Sequence, residues 1–231
     1  MTNEERLYST ILNLDSYKEI IGWTCYLNPN QPLLNFFDIR KTNEDYVKTE
    51  IAWYNSMRLD VSDIETKAKI WSEIKSRKNK VNSNYGWCIF SEANGYQFNN
   101  CIEKLVGNPD TRQACMIYTR PSMHLDAIKD GMKDFMCTNY VQVFIRDRSL
   151  KYIVHQRSCD FVYGFFNDFA WHCYVYKLLW AKLKSYNIDL VDDIKDIKNT
   201  ILYIADSLHI YPKHYEMINK IALAILNQPV K

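Results

Sequence analysis

The sequence predicts an α+β fold, and three observations carry that prediction. The stretch from Asp168 to Tyr186 is rich in Phe, Trp, Tyr and Leu and is apolar on most sides, the pattern of a long helix buried at the centre of a domain. Val141, Val143 and Ile145 alternate with Gln142 and Phe144. Beyond the polar turn Arg146-Asp147-Arg148-Ser149, Leu150, Tyr152 and Val154 alternate again, as in a β-hairpin whose second strand runs into Arg157-Ser158. Strands and helices mix without a strict βαβ rhythm, which favours α+β over a doubly wound sheet.

The remaining elements follow along the chain. Asn43 to Met57 reads as a helix, with Tyr46, Val47 or Ile51, and Tyr54 near helical spacing and cap chemistry in Thr42-Asn43-Glu44. Ser62 to Lys75 is a second helix candidate, with Ile64, Ala68 and Trp71 or Ile70 on one face. Phe98, Cys101, Ile102 and Leu105 mark a third. Ala114 to Tyr118 reads as a short strand ended by Pro121. Thr200 to Tyr211 is another strand, leading to His209 and Tyr211, and a last helix runs near Tyr215 to Leu226.

Composition bounds the function. With 231 residues, 47% of them apolar, and no repeat, low-complexity tract or Pro/Gly/Ser linker, the chain reads as a single domain over 1–231. Tyrosine occurs 17 times, which suits an aromatic pocket or a large subunit interface and does not choose between them. A net charge of +2 argues against general nucleic-acid binding, so no direct DNA contact is expected. The densest basic run, Lys75 to Lys80, reads as a solvated loop. The polar start from Thr2 to Arg6 resembles no signal peptide, and no apolar run approaches the ~20 residues that span a bilayer. Seven cysteines without CxxC spacing read as reduced thiols in a cytoplasmic protein, and no zinc spacing is present, so no metal is expected.

The chemistry concentrates in one region. Asp134-Phe135-Met136-Cys137-Thr138-Asn139-Tyr140-Val141-Gln142 is followed, fifteen residues after Gln142, by Arg157-Ser158-Cys159-Asp160 and then by Asn167-Asp168. A thiolate is a strong nucleophile, arginine is the side chain best shaped for a phosphate, and a carboxylate can read the amino edge of cytosine. Together they suggest covalent chemistry on a nucleotide base.

Six separated blocks resemble the thymidylate synthase superfamily in order: Glu50-Ile51-Ala52-Trp53-Tyr54, Tyr85-Gly86, Cys137 with Gln142 five residues on, Arg157-Ser158-Cys159-Asp160, Gly164 with Asp168, and His209-Ile210-Tyr211. Three stretches look like the deoxycytidylate 5-hydroxymethyltransferase branch of T-even phages: Asn82 to Trp87, Met116 to Met123, and Asp134 to Asn139. The resemblance implies a thymidylate synthase-like fold, with a mixed β-sheet packed on a long buried helix and a sheet-to-sheet homodimer. An arginine would reach across the interface to the nucleotide phosphate.

It also implies roles, each beside a plainer reading. Cys137 would add to C6 of the pyrimidine; alone, any one of seven cysteines is more often an inert buried thiol. Arg157 and Ser158 would hold the 5′-phosphate, the arginine also favouring the Cys137 thiolate. Gln142 would bind the nucleotide. Arg112 matches the cross-subunit arginine, or is a surface charge; Gln113 stands where a second arginine is common, so phosphate binding is weaker or another cation, such as Arg120, compensates. Asp168 stands where thymidylate synthases carry Asn. A carboxylate accepts from the cytosine amino group and from N3 once N3 is protonated; its plainer role is a helix N-cap. Glu50 would be the general acid/base, or a helix-surface glutamate. Tyr85 would join the proton network. Asp160, Trp71 and Gly164 would form the pterin site, with core packing the alternative for Trp71. His209 and Tyr211 would bind the sugar 3′-hydroxyl, though a lone His is more often structural. Thr138, in place of the usual His, marks the hydroxymethylase-like branch.

The reaction so implied joins dCMP to the one-carbon unit of 5,10-methylenetetrahydrofolate at C5. Water then adds, giving 5-hydroxymethyl-dCMP and tetrahydrofolate, a precursor for phage DNA modification made in the host cytoplasm. Hydride in place of water would give 5-methyl-dCMP. Use of dUMP and a non-catalytic nucleotide-binding homologue are further alternatives. Other nucleotide-synthesis enzymes are partners to consider; a membrane is not.

Overall fold

The computed structural model describes residues 1–190 and 200–228; the C-terminal Pro229-Val230-Lys231 lies outside them. The chain packs as two compact units, one built from residues 1–42 and 146–231 and the other from 43–145. Elements are numbered along the chain.

The first unit is organised by strand β8 (Ile201–His209), which runs antiparallel to β1 (Glu19–Leu27) and parallel to β6 (Ser149–Gln156) and the short β7 (Cys159–Asp160). The sheet is therefore mixed, as expected. Its register sets Gln156 beside Ala205, Asp160 beside His209, and Glu19 across from His209. The long helix α7 (Gly164–Ser185) begins one turn earlier than the sequence suggested. It lies on the sheet: the Phe165 ring is 5.6 Å from Trp23 of β1 and 5.2 Å from Tyr203 of β8. The Tyr176 hydroxyl donates to the Leu150 carbonyl of β6 at 3.1 Å. Phe165, Phe166, Phe169 and Trp171 are fully buried, each worth about 2 kcal/mol by removal of apolar surface from water.

Helix α1 (Asn3–Tyr17) was not anticipated, although its start is legible. Thr2 accepts from the Glu5 amide while the Glu5 carboxylate accepts from the Thr2 amide, a reciprocal capping box. It packs against α8 (Tyr215–Leu226), the expected last helix. A two-stranded ladder, β2 (Asn35–Phe36) and β3 (Arg40–Lys41), completes the unit.

In the second unit, α2 (Glu44–Asn55) starts at Asn43, whose side chain accepts from the Tyr46 amide at 3.1 Å. The helix expected from Ser62 to Lys75 is shortened to α3 (Ile70–Ile74). Before it the chain runs in turns: Asp60 accepts from the Ser62 amide at 3.0 Å, and the Thr66 hydroxyl donates to the Asp63 carbonyl at 2.9 Å. Short polar side chains there offer the backbone an alternative to helical pairing. Helix α4 (Tyr85–Phe90) is capped by Asn84, and α5 (Gln97–Gly107) buries Cys101, Ile102 and Leu105 as predicted. Strand β4 (Cys115–Ile117) pairs antiparallel with β5 (Thr138–Arg146), and α6 (Met123–Asp126) lies between them in the chain. In the first unit, just ahead of β6, Asp147 and Arg148 both take positive φ, 53° and 54°. Among the described residues no helix is long and apolar enough to cross a membrane.

Gly86 marks the tightest approach in this unit. A Cβ there would lie 1.9 Å from the Tyr54 carbonyl oxygen and 2.5 Å from its carbon, so the last turn of α2 admits only glycine opposite it. Gly86→Ala is expected to lower stability by about 3 kcal/mol through overpacking. Gly107→Ala, where nothing lies within 4 Å, serves as the control and stays within about 1 kcal/mol. Urea unfolding of the two variants makes the comparison; equal losses would refute it.

Candidate active site

In the second unit, the nucleophile candidate Cys137 stands immediately before β5, half-buried, with its Sγ 4.0 Å from the Phe135 carbonyl. Its segment is held from below by Asp134, which is 4% exposed. That carboxylate accepts from the amides of Asn82 and Ser83 at 2.6 and 2.7 Å and from the Ser83 hydroxyl at 2.5 Å. A buried carboxylate so surrounded fixes two loops to one another. On the other side the Met136 sulfur lies 3.8 Å from the Cys88 thiol in the core. The sequence reading missed this anchoring role of Asp134, because nothing in its spacing reveals three donors fifty residues away.

Glu50 is not the surface glutamate its helix position suggests: it is 5% exposed. It accepts from the Tyr46 hydroxyl at 2.8 Å, and that oxygen in turn accepts from the Trp71 indole N–H at 2.9 Å. A tyrosine hydroxyl has one proton, so the direction of this Trp71-Tyr46-Glu50 chain is set. Tyr46 was read only as a position in the helical spacing; the i, i+4 spacing to Glu50 is the signal for its further role. Tyr85, 4% exposed, is stacked on Tyr54 at 5.2 Å and meets the edge of Tyr118 at the same distance.

Gln142 donates its amide to the carbonyls of Ala114 (2.9 Å), Arg112 (3.3 Å) and Val143 (3.3 Å), which leaves its Oε1 for a ligand. It thereby holds the backbone of Arg112, whose side chain projects into solvent. Gln113, in place of a second arginine, accepts from Lys104 Nζ at 3.1 Å, so a cation from α5 stands at that position. Arg120, the compensating charge considered from sequence, is committed elsewhere. It pairs with Asp126 at 2.8 Å and bonds Asn82 Oδ1 at 3.2 Å.

In the first unit, Arg157 and Ser158 form the half-buried link between β6 and β7. Asp160 lies beside His209 in register, and its carboxylate accepts from the Val162 amide at 3.1 Å and the Tyr163 amide at 3.4 Å, just ahead of α7. Arg40, also missed from sequence, donates to the Val162 carbonyl at 2.9 Å and covers the Phe166 ring at 4.1 Å, bracing this corner. A Cβ at Gly164 would meet Asp160 Cβ at 3.7 Å, an ordinary contact, so crowding does not dictate that glycine. His209 ends β8, with its ring 5.2 Å from Tyr211 and nearly perpendicular to it; Tyr211 is 49% exposed.

Asp168 sits inside α7, not at its start, where Tyr163 is the cap residue, so the N-cap role is excluded. Gln156 of β6, fully buried, donates to its Oδ2 at 2.8 Å. Burial pushes the Asp168 pKa up to about 7, against the opposing Gln156 hydrogen bond and with help from the Asp160 charge. Such a carboxyl takes up and gives back a proton near neutrality. Gln156 was invisible as a partner because its contact depends on how α7 packs over β6.

The thymidylate synthase family model matches residues 17–224, a span that runs through both units. The deoxycytidylate 5-hydroxymethyltransferases of Enterobacteria phages T4, T2 and T6 are each 44% identical to this chain over 179 residues. These alignments cover 77% of this chain and 71% of each relative. With a mixed sheet under a long buried helix and a family match over nearly all its length, the chain belongs to the thymidylate synthase family.

Proposed function

We propose that the protein is a deoxycytidylate 5-hydroxymethyltransferase, and that its two units act as one catalytic domain. The observation that carries the substrate is Asp168. Its carboxylate can accept from the cytosine amino group, and a pKa near 7 suits it to hold a proton at N3 as charge enters the ring. Gln156 donates to Oδ2, so in this proposal Oδ1 is the oxygen that would read the base. The 44% identity to enzymes of that name in three phages supports the same reading and a cytoplasmic setting in an infected host.

In this proposal the Cys137 thiolate adds to C6, with Arg157 and Ser158 on the 5′-phosphate and Gln142 Oε1 on the nucleotide. Glu50, held by Tyr46, exchanges a proton at the base with Tyr85 nearby, and His209 and Tyr211 take the 3′-hydroxyl. Arg112 reaches the phosphate of the other subunit in a homodimer. The exposed Tyr26 of β1 (56%), on the face away from buried Trp23 and Leu27, supplies apolar surface for that contact.

The folate site is tested by its residues. Asp160, at 17% side-chain exposure, offers carboxylate oxygens to the donor edge of a pterin, and Gly164 beside it presents no side chain. Trp71 is only 6% exposed and has given its N–H to Tyr46, so it would meet the ring through an edge. The chemistry of Asp160 and Gly164 fits the pterin of 5,10-methylenetetrahydrofolate, which when bound would supply a one-carbon unit.

Incubation with dCMP, dUMP and methylenetetrahydrofolate, followed by mass analysis, tests the assignment. The expected products are 5-hydroxymethyl-dCMP and tetrahydrofolate; 5-methyl-dCMP with dihydrofolate, or a product from dUMP alone, would overturn it. Covalent capture of a 5-fluoropyrimidine nucleotide separates an enzyme from an inert nucleotide binder. Cys137→Ala is expected to cut turnover by at least about 10⁴-fold while nucleotide binding persists, since the covalent step has no substitute; any retained turnover near wild type refutes the role.

Asp168→Asn is expected to shift the kcat/KM ratio from dCMP toward dUMP by about 100-fold, because the hydrogen-bonding pattern inverts. The same substitution changes the pH dependence of stability. A carboxyl raised from 3.8 to about 7 on folding stabilises the native state below the lower value and loses that contribution as pH rises through the upper one. Wild type therefore loses stability relative to Asp168→Asn between those two values, and parallel curves in pH-dependent denaturation would contradict this. Sedimentation is expected to give the mass of a dimer; a monomer at working concentration would dismiss the intersubunit role of Arg112.

A further inference from the structure

We infer that Ser207 and Glu19 fix the tautomer of His209, making its Nε2 a hydrogen-bond acceptor that selects a free sugar hydroxyl. The inference rests on the proposed nucleotide reading and assigns positioning residues to it. Sheet register brings the three groups together. Glu19 on β1 lies directly across from His209 on β8, and Ser207, two residues before His209, shares its face of the strand. The Ser207 hydroxyl is 2.5 Å from Glu19 Oε1 and 3.2 Å from His209 Nδ1.

The proton count decides the direction. A serine hydroxyl has one proton, and a carboxylate only accepts. The short contact to Glu19 takes that proton, as charge-assisted bonds at this distance do. The Ser207 oxygen then has only lone pairs to offer His209, so the contact at Nδ1 is a hydrogen bond only when Nδ1 carries the hydrogen. A neutral imidazole protonated at Nδ1 is bare at Nε2. The neutral histidine side chain free in water prefers the opposite tautomer, with the hydrogen on Nε2, so without Ser207 the ring would present N–H where it now presents a lone pair.

Specificity follows from the reversal. A bare Nε2 accepts from a hydroxyl and repels a phosphate oxygen, which has no proton to give. The Tyr211 ring, edge-on at 5.2 Å, restricts the imidazole plane. Asp160, in register with His209 on β7, adds a second negative group at this end of the sheet. A nucleoside 5′-monophosphate with a free 3′-hydroxyl satisfies this arrangement, and a 3′-phosphorylated nucleotide does not.

Two measurements on the full chain test the inference. Nitrogen NMR of the ¹⁵N-histidine-labelled protein is expected to show His209 protonated at Nδ1 in wild type and Ser207→Thr, and at Nε2 in Ser207→Ala. Kinetics with dCMP and inhibition by 2′,3′-dideoxycytidine 5′-monophosphate form the second arm. Ser207→Ala is expected to raise KM for dCMP about tenfold, the loss of one good hydrogen bond, with kcat changed less than about twofold. The inhibition constant of the 3′-deoxy analogue stays unchanged, and Ser207→Thr restores KM. A wild-type His209 protonated at Nε2, or an equal loss for both nucleotides, overturns the inference and leaves the proposed reaction standing. Equal wild-type affinity for the two nucleotides overturns the sugar contact itself, and the inference with it.

Discussion

The hydrogen-bond register of strand β8 is the constraint on which the first unit depends. One strand serves three neighbours, antiparallel on one side and parallel on the other, so a single alignment decides what meets His209, Ala205 and Ile201. A slip of one residue would turn Tyr203 and Ala205 out of the core and move Asp160 and Glu19 away from His209 together. The long helix α7 supports that choice, because Phe165 packs edge-on against both Trp23 of β1 and Tyr203 of β8.

The second unit uses buried charge where the first uses register. Asp134 and Glu50 are both almost fully enclosed, and each is met by hydroxyl or amide donors supplied by its own unit. Enclosed carboxylates are costly unless satisfied, so each enforces a particular loop arrangement. Asp168 accepts one hydrogen bond, from Gln156, and burial pushes its pKa up to about 7 against that bond. Burial is common to all these acids.

The long elements were legible in the sequence because each had a strong period: Val141, Val143 and Ile145 on β5, and the apolar residues of α7. Six motif blocks in order carried the family, whose model matches residues 17–224. The stretch from Ser62 failed because its apolar spacing was helical while Asp60, Ser62, Asp63 and Thr66 diverted the backbone into turns. The first forty-two residues were passed over despite the Thr2-Glu5 cap. What no local pattern could reveal is partnership at a distance: Gln156 to Asp168, Asp134 to Ser83, Glu19 to Ser207. Such pairs arise from packing, and their members look like ordinary polar residues until the chain is folded.

The chain from Trp71 through Tyr46 to Glu50 has an optical consequence. An indole excited state is sensitive to the strength of the bond its N–H makes, and that bond here ends, one hydroxyl later, on a carboxylate. Ionisation of Glu50 therefore changes the polarity felt by a fluorophore native to the fold. Trp71 is one of six tryptophans and has Trp53 at 4.9 Å, so its share of the emission is the difference between the protein and a Trp71→Phe variant.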